Sequence, residues 1–275
     1  MFEEVIVCLD GSSLAETILP LARAVTAPTG GKLTLLRVVG DEAELAAEES
    51  YLRDCARQYA AQLSFAISAD PAGAIATELK NNPHAIAAIT THGRTAWAEA
   101  ILGGVAFQVI RESHRPVLVY RPITKTGDAP KQIDTVVIAL NGNALSEKII
   151  TYAVPAARSL RAKLLLVQVL PVQSPAALLP DQGKNDISES AYVHSKAAEI
   201  KKQYGLDAQW DVLHGDPAEA IWRYVRGTPN TLLAMTTHAL PGIERAILGS
   251  VAAACVRHAA TPLLLYWPKD ENRER

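Results

Sequence analysis

The sequence predicts an α/β protein made of two tandem, open, parallel five-stranded sheets with flanking helices. Three observations carry this. The chain repeats itself: TTHGRTAWAEAILGGVA at 90–106 returns as TTHALPGIERAILGSVA at 236–252, and ADPAGAI at 69–75 returns as GDPAEAI at 215–221. Two copies are too few for a solenoid, so the repeat marks a duplicated globular domain. Short apolar runs alternate with segments of helical periodicity, the pattern of a parallel sheet with right-handed crossovers. The 275 residues are also enough for two domains, each with its own core.

The elements follow in order. Residues 5–9 form a short apolar strand that runs into Asp-Gly-Ser-Ser, a turn. Ser12 or Ser13 caps a helix over 14–26, which Pro20 kinks or frays. A strand at 32–39 leads to a long charged helix at 41–62, whose acidic run at 41–49 reads as a solvated face. A weak strand at 64–68 follows. Asp70 then caps a helix from Pro71 through Lys80, with proline at its first position. A strand at 85–90, a loop at 92–100, a helix at 104–113 and a strand at 116–120 close the unit.

Residues 123–134 form a linker between a first domain, 1–122, and a second, 135–268. The cycle restarts with strands at 135–140 and 163–170. The insertion PVQSPAALLPDQGKNDIS at 171–188 is expected to be a loop, by its prolines and polar residues. A helix resumes around 190–204, and strands follow at 208–213, 231–235 and 262–266. The tail, 269–275, is charged and expected to fray.

Composition excludes several classes. A net charge of −2 gives no electrostatic footprint for nucleic acid. No apolar run is long enough to span a bilayer. The N-terminus lacks a basic signal-peptide region, and three unpatterned cysteines fit a reducing compartment. The expected location is the cytoplasm. The histidines show no ligand spacing with cysteines or carboxylates, so no metal site is expected. Ser12 and Ser13 lack a nucleophile elbow and an assignable partner base, so no catalytic residue is expected.

In open parallel sheets, ligands bind beyond the carboxyl ends of the strands. Asp10, Val38 and Thr90–Gly93 all fall there. Gly93 and the Gly103-Gly104 pair that opens a helix would aim backbone N–H groups at one anion. His92 and Arg94 add donors, and Asp10 offers an acceptor for a ribose hydroxyl.

Taken together, VIVCLDGSS, LTLLRVV, ADPAGAI and TTHGRTAWAEAILGGVAFQVIRESHRPVLVY, with their second-half partners VVIALNGNA, LLLVQVL, GDPAEAI and TTHALPGIERAILGSVAAACVRHAATPLLLY, resemble the universal stress protein family, as a tandem pair covering nearly the whole chain. The resemblance implies an open, Rossmann-like sheet of the adenine nucleotide α-hydrolase-like type. It implies a pseudo-dimer of the two repeats, paired through the strands at 117–120 and 263–266, with a homodimer as a further assembly. It also implies a stress-response regulator that binds ATP or another adenine nucleotide, with Mg accompanying the phosphates and at most slow hydrolysis.

ATP-binding members share Gly, two residues, Gly, nine residues, Gly, then Ser or Thr. The first repeat has Thr90, Gly93, Gly103 and Gly104 at these places. Asp10 matches the ribose-binding aspartate and Val38 the position whose backbone meets adenine. Its candidate site is thus Asp10, Gly11, Ser12, Val38, Thr90, His92, Gly93, Arg94, Gly103, Gly104, Val105 and Ala106. The second repeat offers the weaker set Asn141, Val169, Thr236, His238, Gly249, Ser250 and Val251.

The departures differ in weight. Thr90 is harmless if its backbone is extended, because only a positive φ makes glycine obligatory. Gly104 in place of Ser loses one hydroxyl donor, on the order of 1 kcal/mol. Ala239 in place of the second glycine costs about 1 kcal/mol or more and obstructs a phosphate. Asn141 loses the charge of Asp10. The first repeat is therefore the better expected site. The alternative is a nucleotide-free member acting through protein–protein contact. A metabolic enzyme of the ATP-pyrophosphatase or electron-transfer flavoprotein folds ranks last, because the chain lacks a Ser-Gly-Gly-x-Asp-Ser loop.

Overall fold

The computed structural model describes residues 2–91, 102–122, 129–170, 182–237 and 248–268, with 182–189 described by backbone alone. The first half runs β1 (Glu4–Leu9), α1 (Ser13–Glu16), α2 (Leu19–Thr26), β2 (Lys32–Val39), α3 (Glu42–Tyr59), β3 (Gln62–Ile67), α4 (Pro71–Asn81), β4 (Ala85–Thr90), α5 (Gly104–Ser113) and β5 (Val117–Tyr120). The second half runs β6 (Thr135–Leu140), α6 (Ala144–Glu147), α7 (Ile150–Leu160), β7 (Lys163–Leu170), α8 (Gln182–Tyr204), β8 (Ala208–His214), α9 (Pro217–Arg226), β9 (Thr231–Thr236), α10 (Ser250–His258) and β10 (Leu263–Tyr266).

The two expected sheets are joined. One ten-stranded sheet has the order β3-β2-β1-β4-β5-β10-β9-β6-β7-β8. Every pairing is parallel except β5 with β10, where Leu264 stands opposite Leu118 in an antiparallel ladder. This is the pairing expected from the resemblance. It uses the inner edge strand of each half, and the antiparallel seam points the carboxyl ends of the two halves in opposite directions.

Alternation along the strands divides the interior into two layers. Val5, Val7 and Leu9 face α2 and α3, while Ile6 faces the other way with α4 and α5. At the seam Leu118 and Leu264 belong to the first layer, and Val117, Val119, Leu263 and Leu265 to the second. Both layers cross the seam, so each core is shared by the two halves. Burial on both faces explains why the central strands are nearly all apolar. Residues 129–134 lead into β6 and bury Ala129 and Ile133 in the first layer.

Three sequence expectations need correction. The helix expected over 14–26 is two helices, α1 and α2. Pro20 lies in the first turn of α2, where its missing N–H is harmless. The same break separates α6 from α7, where Thr151 stands in place of proline, so the turn itself imposes it. Second, α8 begins at Gln182, so the expected loop over 171–188 is helical in its last residues. No proline follows Pro180 there, and polarity does not prevent a solvated helix. Third, β3 starts at Gln62 rather than at 64. It is an edge strand with partial burial, so its apolar pattern is weak. The tail 269–275 and residues 171–181 lie outside the described residues.

Candidate functional site

The site is built from the turn that follows β1. Gly11 has φ 77, the left-handed region that glycine tolerates at no steric cost. The turn brings Ser12 back onto Asp10. Asp10 Oδ1 accepts from the Ser12 N–H at 3.0 Å and from the Ser12 hydroxyl at 2.6 Å. Ser12 Oγ in turn accepts from the Ala15 N–H at 3.2 Å and so caps α1. The carboxylate is thus held at the carboxyl end of the sheet. The second half repeats this turn without the charge. Gly142 has φ 83, Asn141 Oδ1 accepts from the Asn143 N–H at 3.1 Å, and Asn143 caps α6. Asparagine keeps the geometry because only a carbonyl oxygen is needed.

The next wall comes from β4 and α5. Thr90 is the last residue of β4, so its backbone is extended and glycine is not required there. Thr236 ends β9 in the same way. Thr91 is fully buried, donates its N–H to Tyr120 O at 3.1 Å and accepts the Gly103 N–H at 2.7 Å. This pins the start of α5 above the end of β4. Gly103 has φ −63, so its backbone suits any residue; space decides instead, because a Cβ would lie 3.1 Å from Thr91 O.

Gly103 offers no side chain to cap α5. The helix ladder begins with the Phe107 N–H donating to Gly103 O at 3.0 Å. The N–H groups of Gly104, Val105 and Ala106 precede it and lie at the positive end of the helix dipole. A Cβ on Gly104 would meet nothing within 4 Å. In the second half the Gly249 N–H donates to Thr237 Oγ1 at 3.2 Å, and Ser250 and Val251 open an equally uncapped α10. His92, Gly93, Arg94 and His238 lie outside the described residues, as do Trp97 and Ala239.

The third wall is the end of β2, and here the sequence reading missed a residue. Val38 is 8% exposed, and its carbonyl accepts from Arg37 Nη1. Arg37 is itself 7% exposed. Its Nε donates to Glu48, and its Nη2 donates to Glu44 at 2.7 Å and to Glu48 at 3.0 Å. Glu44 also accepts the Gly40 N–H at 2.8 Å. The acidic run at 41–49 is therefore more than a solvated face, because Glu44 and Glu48, four apart on α3, bracket one buried cation.

The Arg37 pKa is raised, first by its hydrogen bond to Glu48 and against the opposing effect of burial. The charges of Glu48, Glu44 and Asp10 add to the rise. Asp10 thus lies within electrostatic reach of Arg37. The detectable signal was a charge inside an otherwise apolar strand, LTLLRVV. At the matching place the second half has Gln168, whose Oε1 is buried and without a hydrogen-bond partner among the described residues, followed by Val169.

Among the described residues no group of three His, Cys, Asp or Glu side chains converges to hold a metal, and no helix is long and apolar enough to cross a membrane. The arrangement suits a polyanion with a hydroxylated body. It combines backbone donors at α5 that have no partner among the described residues, a fixed carboxylate at β1 and a strand-end carbonyl at β2.

The model of the Universal stress protein family matches residues 40–121 and 132–266, more than half of the chain, and the chain belongs to that family. The first match begins after β2, so Asp10 and Val38 lie before it, whereas Asn141 and Val169 lie within the second. The chain is similar to a universal stress protein of Methanocaldococcus jannaschii, at 26% identity over 136 residues, covering 47% of this chain and 79% of that one. It is similar to another from Synechocystis, at 29% identity over 179 residues, covering 63% of this chain and 55% of the relative. A universal stress protein structure from Archaeoglobus fulgidus matches with a TM-score of 0.68 over 98% of this chain and 100% of that one. At 16% identity this likeness is one of fold.

Proposed function

We propose that this universal stress protein is a cytoplasmic stress-response regulator that binds ATP or another adenine nucleotide, chiefly in its first half. The observation that carries the reading is the uncapped start of α5. Its N–H groups at Gly104, Val105 and Ala106 are left out of the helix ladder at the carboxyl end of a parallel sheet, where α/β folds bind phosphates. Asp10 would take a ribose hydroxyl, and Mg would arrive with the phosphates. The second half keeps the helix start at Gly249 and Ser250 but has Asn141 for the carboxylate, so it binds more weakly.

In this reading residues 1–122 and 135–268 are the two domains, joined by 123–134. The pseudo-dimer is internal, and the nucleotide sets the protein's state rather than being turned over. Among the described residues no general base is assignable, so the reading has hydrolysis slow at most.

The test is native isolation followed by identification of small molecules released on denaturation, together with melting in the presence of ATP. Ligand at about 100 times Kd stabilises by about 2.7 kcal/mol, a rise that Asp10→Ala should reduce. No released nucleotide and no rise in melting temperature would leave the nucleotide-free alternative, a protein acting through protein contacts.

A further inference from the structure

We infer that Asn141 modifies itself: it loses its side-chain amide to the nitrogen of Gly142 and becomes an aspartate, which gives the second half the carboxylate that Asp10 supplies in the first. That this raises affinity there rests on the reading that these strand ends bind a nucleotide. The conversion itself does not.

The sequence marks one asparagine. Of all those in the chain, only Asn141 is followed by glycine. Attack of a main-chain nitrogen on the preceding side chain needs close approach, and glycine, without a Cβ, obstructs it least. Asn143 is followed by Ala144 and Asn230 by Thr231, whose side chains crowd the same path.

The turn after β6 supplies the groups such a reaction needs. The nucleophile is the Gly142 nitrogen, whose N–H has no partner among the described residues. The electrophile is Cγ of Asn141. Its Oδ1 accepts the Asn143 N–H at 3.1 Å, which polarises the carbonyl and stabilises the negative charge that develops on Oδ1 as nitrogen adds. The same bond closes a ring of atoms that contains both Cγ of Asn141 and N of Gly142, so the reacting atoms are kept close. The Asn141 N–H donates to Ser146 Oγ at 3.3 Å and fixes the other end of the residue. The leaving group, the Nδ2 amide, has no hydrogen bond among the described residues. Asn141 and Gly142 are both exposed, so ammonia departs into water and water reaches the product.

In the first step the Gly142 nitrogen bonds to Cγ and gives up its proton. The Cγ–Nδ2 bond breaks, and the amide leaves with a proton as ammonia. Water then opens the five-membered imide. Cleavage of the bond between Cγ and the Gly142 nitrogen gives aspartate on an intact main chain. Cleavage at the main-chain carbonyl gives isoaspartate, with the chain rerouted through Cγ. Water is the only co-reactant. Aspartate suits this turn, because the first half already holds one there. Asp10 Oδ1 accepts the Ser12 N–H at 3.0 Å beside Gly11, as Asn141 Oδ1 accepts that of Asn143 beside Gly142, and both glycines are left-handed.

The experiment is peptide mapping by mass spectrometry of the folded full chain, incubated at neutral pH beside the chain denatured in guanidinium. Residue 141 should change from amide to acid in the folded chain, with aspartate among the products and with Asn143 and Asn230 intact. A folded chain that keeps its amide at 141 over the time in which the denatured chain loses it overturns the inference. Isoaspartate as the sole product also overturns it. The gain of affinity is read by isothermal titration with ATP in the Asp10→Ala background, which weakens the first half. Adding Asn141→Asp should tighten Kd about fivefold, the advantage of a charged over a neutral acceptor. An unchanged Kd overturns the gain. If ATP binds no form of the chain, the nucleotide reading falls and the gain with it, while the peptide map still decides the conversion.

Discussion

Replacing Gly104 by serine tests whether phosphate sits at the start of α5. Gly104 is outside the left-handed region, and a Cβ there would touch nothing within 4 Å. The side chain therefore fits without strain. Adding a side chain at a compatible glycine stabilises by about 0.4–1 kcal/mol, mainly by restricting the unfolded chain. For a chain of this size that is a rise of about 1–3 °C in Tm. Gly104→Ser and Gly104→Ala should share this gain. Only serine adds a hydroxyl donor, as Ser250 already does in the second half. One more hydrogen bond is worth about 1 kcal/mol, or about fivefold in affinity. Titration with ATP should show Gly104→Ser binding about fivefold tighter than Gly104→Ala. Equal affinities would place the phosphates elsewhere and remove the argument from the uncapped helix.

Gly103→Ala should act with the opposite sign to its neighbour. Its Cβ would crowd Thr91 O at 3.1 Å, the same oxygen that holds the Gly103 N–H, and destabilise by about 1 kcal/mol in urea denaturation. A gain in stability would contradict this. Leu264→Ala empties a fully buried position in the seam and should cost about 2–5 kcal/mol. Because both cores cross the seam, calorimetry should show one transition for the two halves, and two resolved transitions would refute that. Cys255 is fully buried, and burial pushes its thiol up to about 12 from 9.0. The folded state favours the protonated thiol, so this contribution is complete below pH 9 and is lost as pH rises towards 12. Stability should fall by up to about 1.4 kcal/mol per pH unit across that window. Cys255→Ala should remove this share, and an identical pH profile in the variant would count against it.

Much of the molecule was legible in the sequence because it is determined locally. β2, β4, α5, β6 and β7 begin and end at the residues the pattern predicts, since apolar runs and Gly or Asp punctuation set them. Asp70 and Ser12 cap their helices because the donors they satisfy are three residues away. Less visible was the start of α8, where polar residues read as loop form helix. The break between α1 and α2 was also misjudged, because it belongs to the turn and recurs without proline.

What the sequence by itself determined is therefore the repeat, the alternation of strand and helix, and the unequal pair Asp10 and Asn141. Each depends on neighbours a few residues apart or on comparing one half with the other. Tertiary structure alone decided which polar groups at the strand ends are already engaged. Arg37, Glu44 and Glu48 meet across two elements, and the Val38 carbonyl accepts from Arg37 at that meeting. The physical reason is that a buried charge must find its partners in space, and spacing along the chain does not name them.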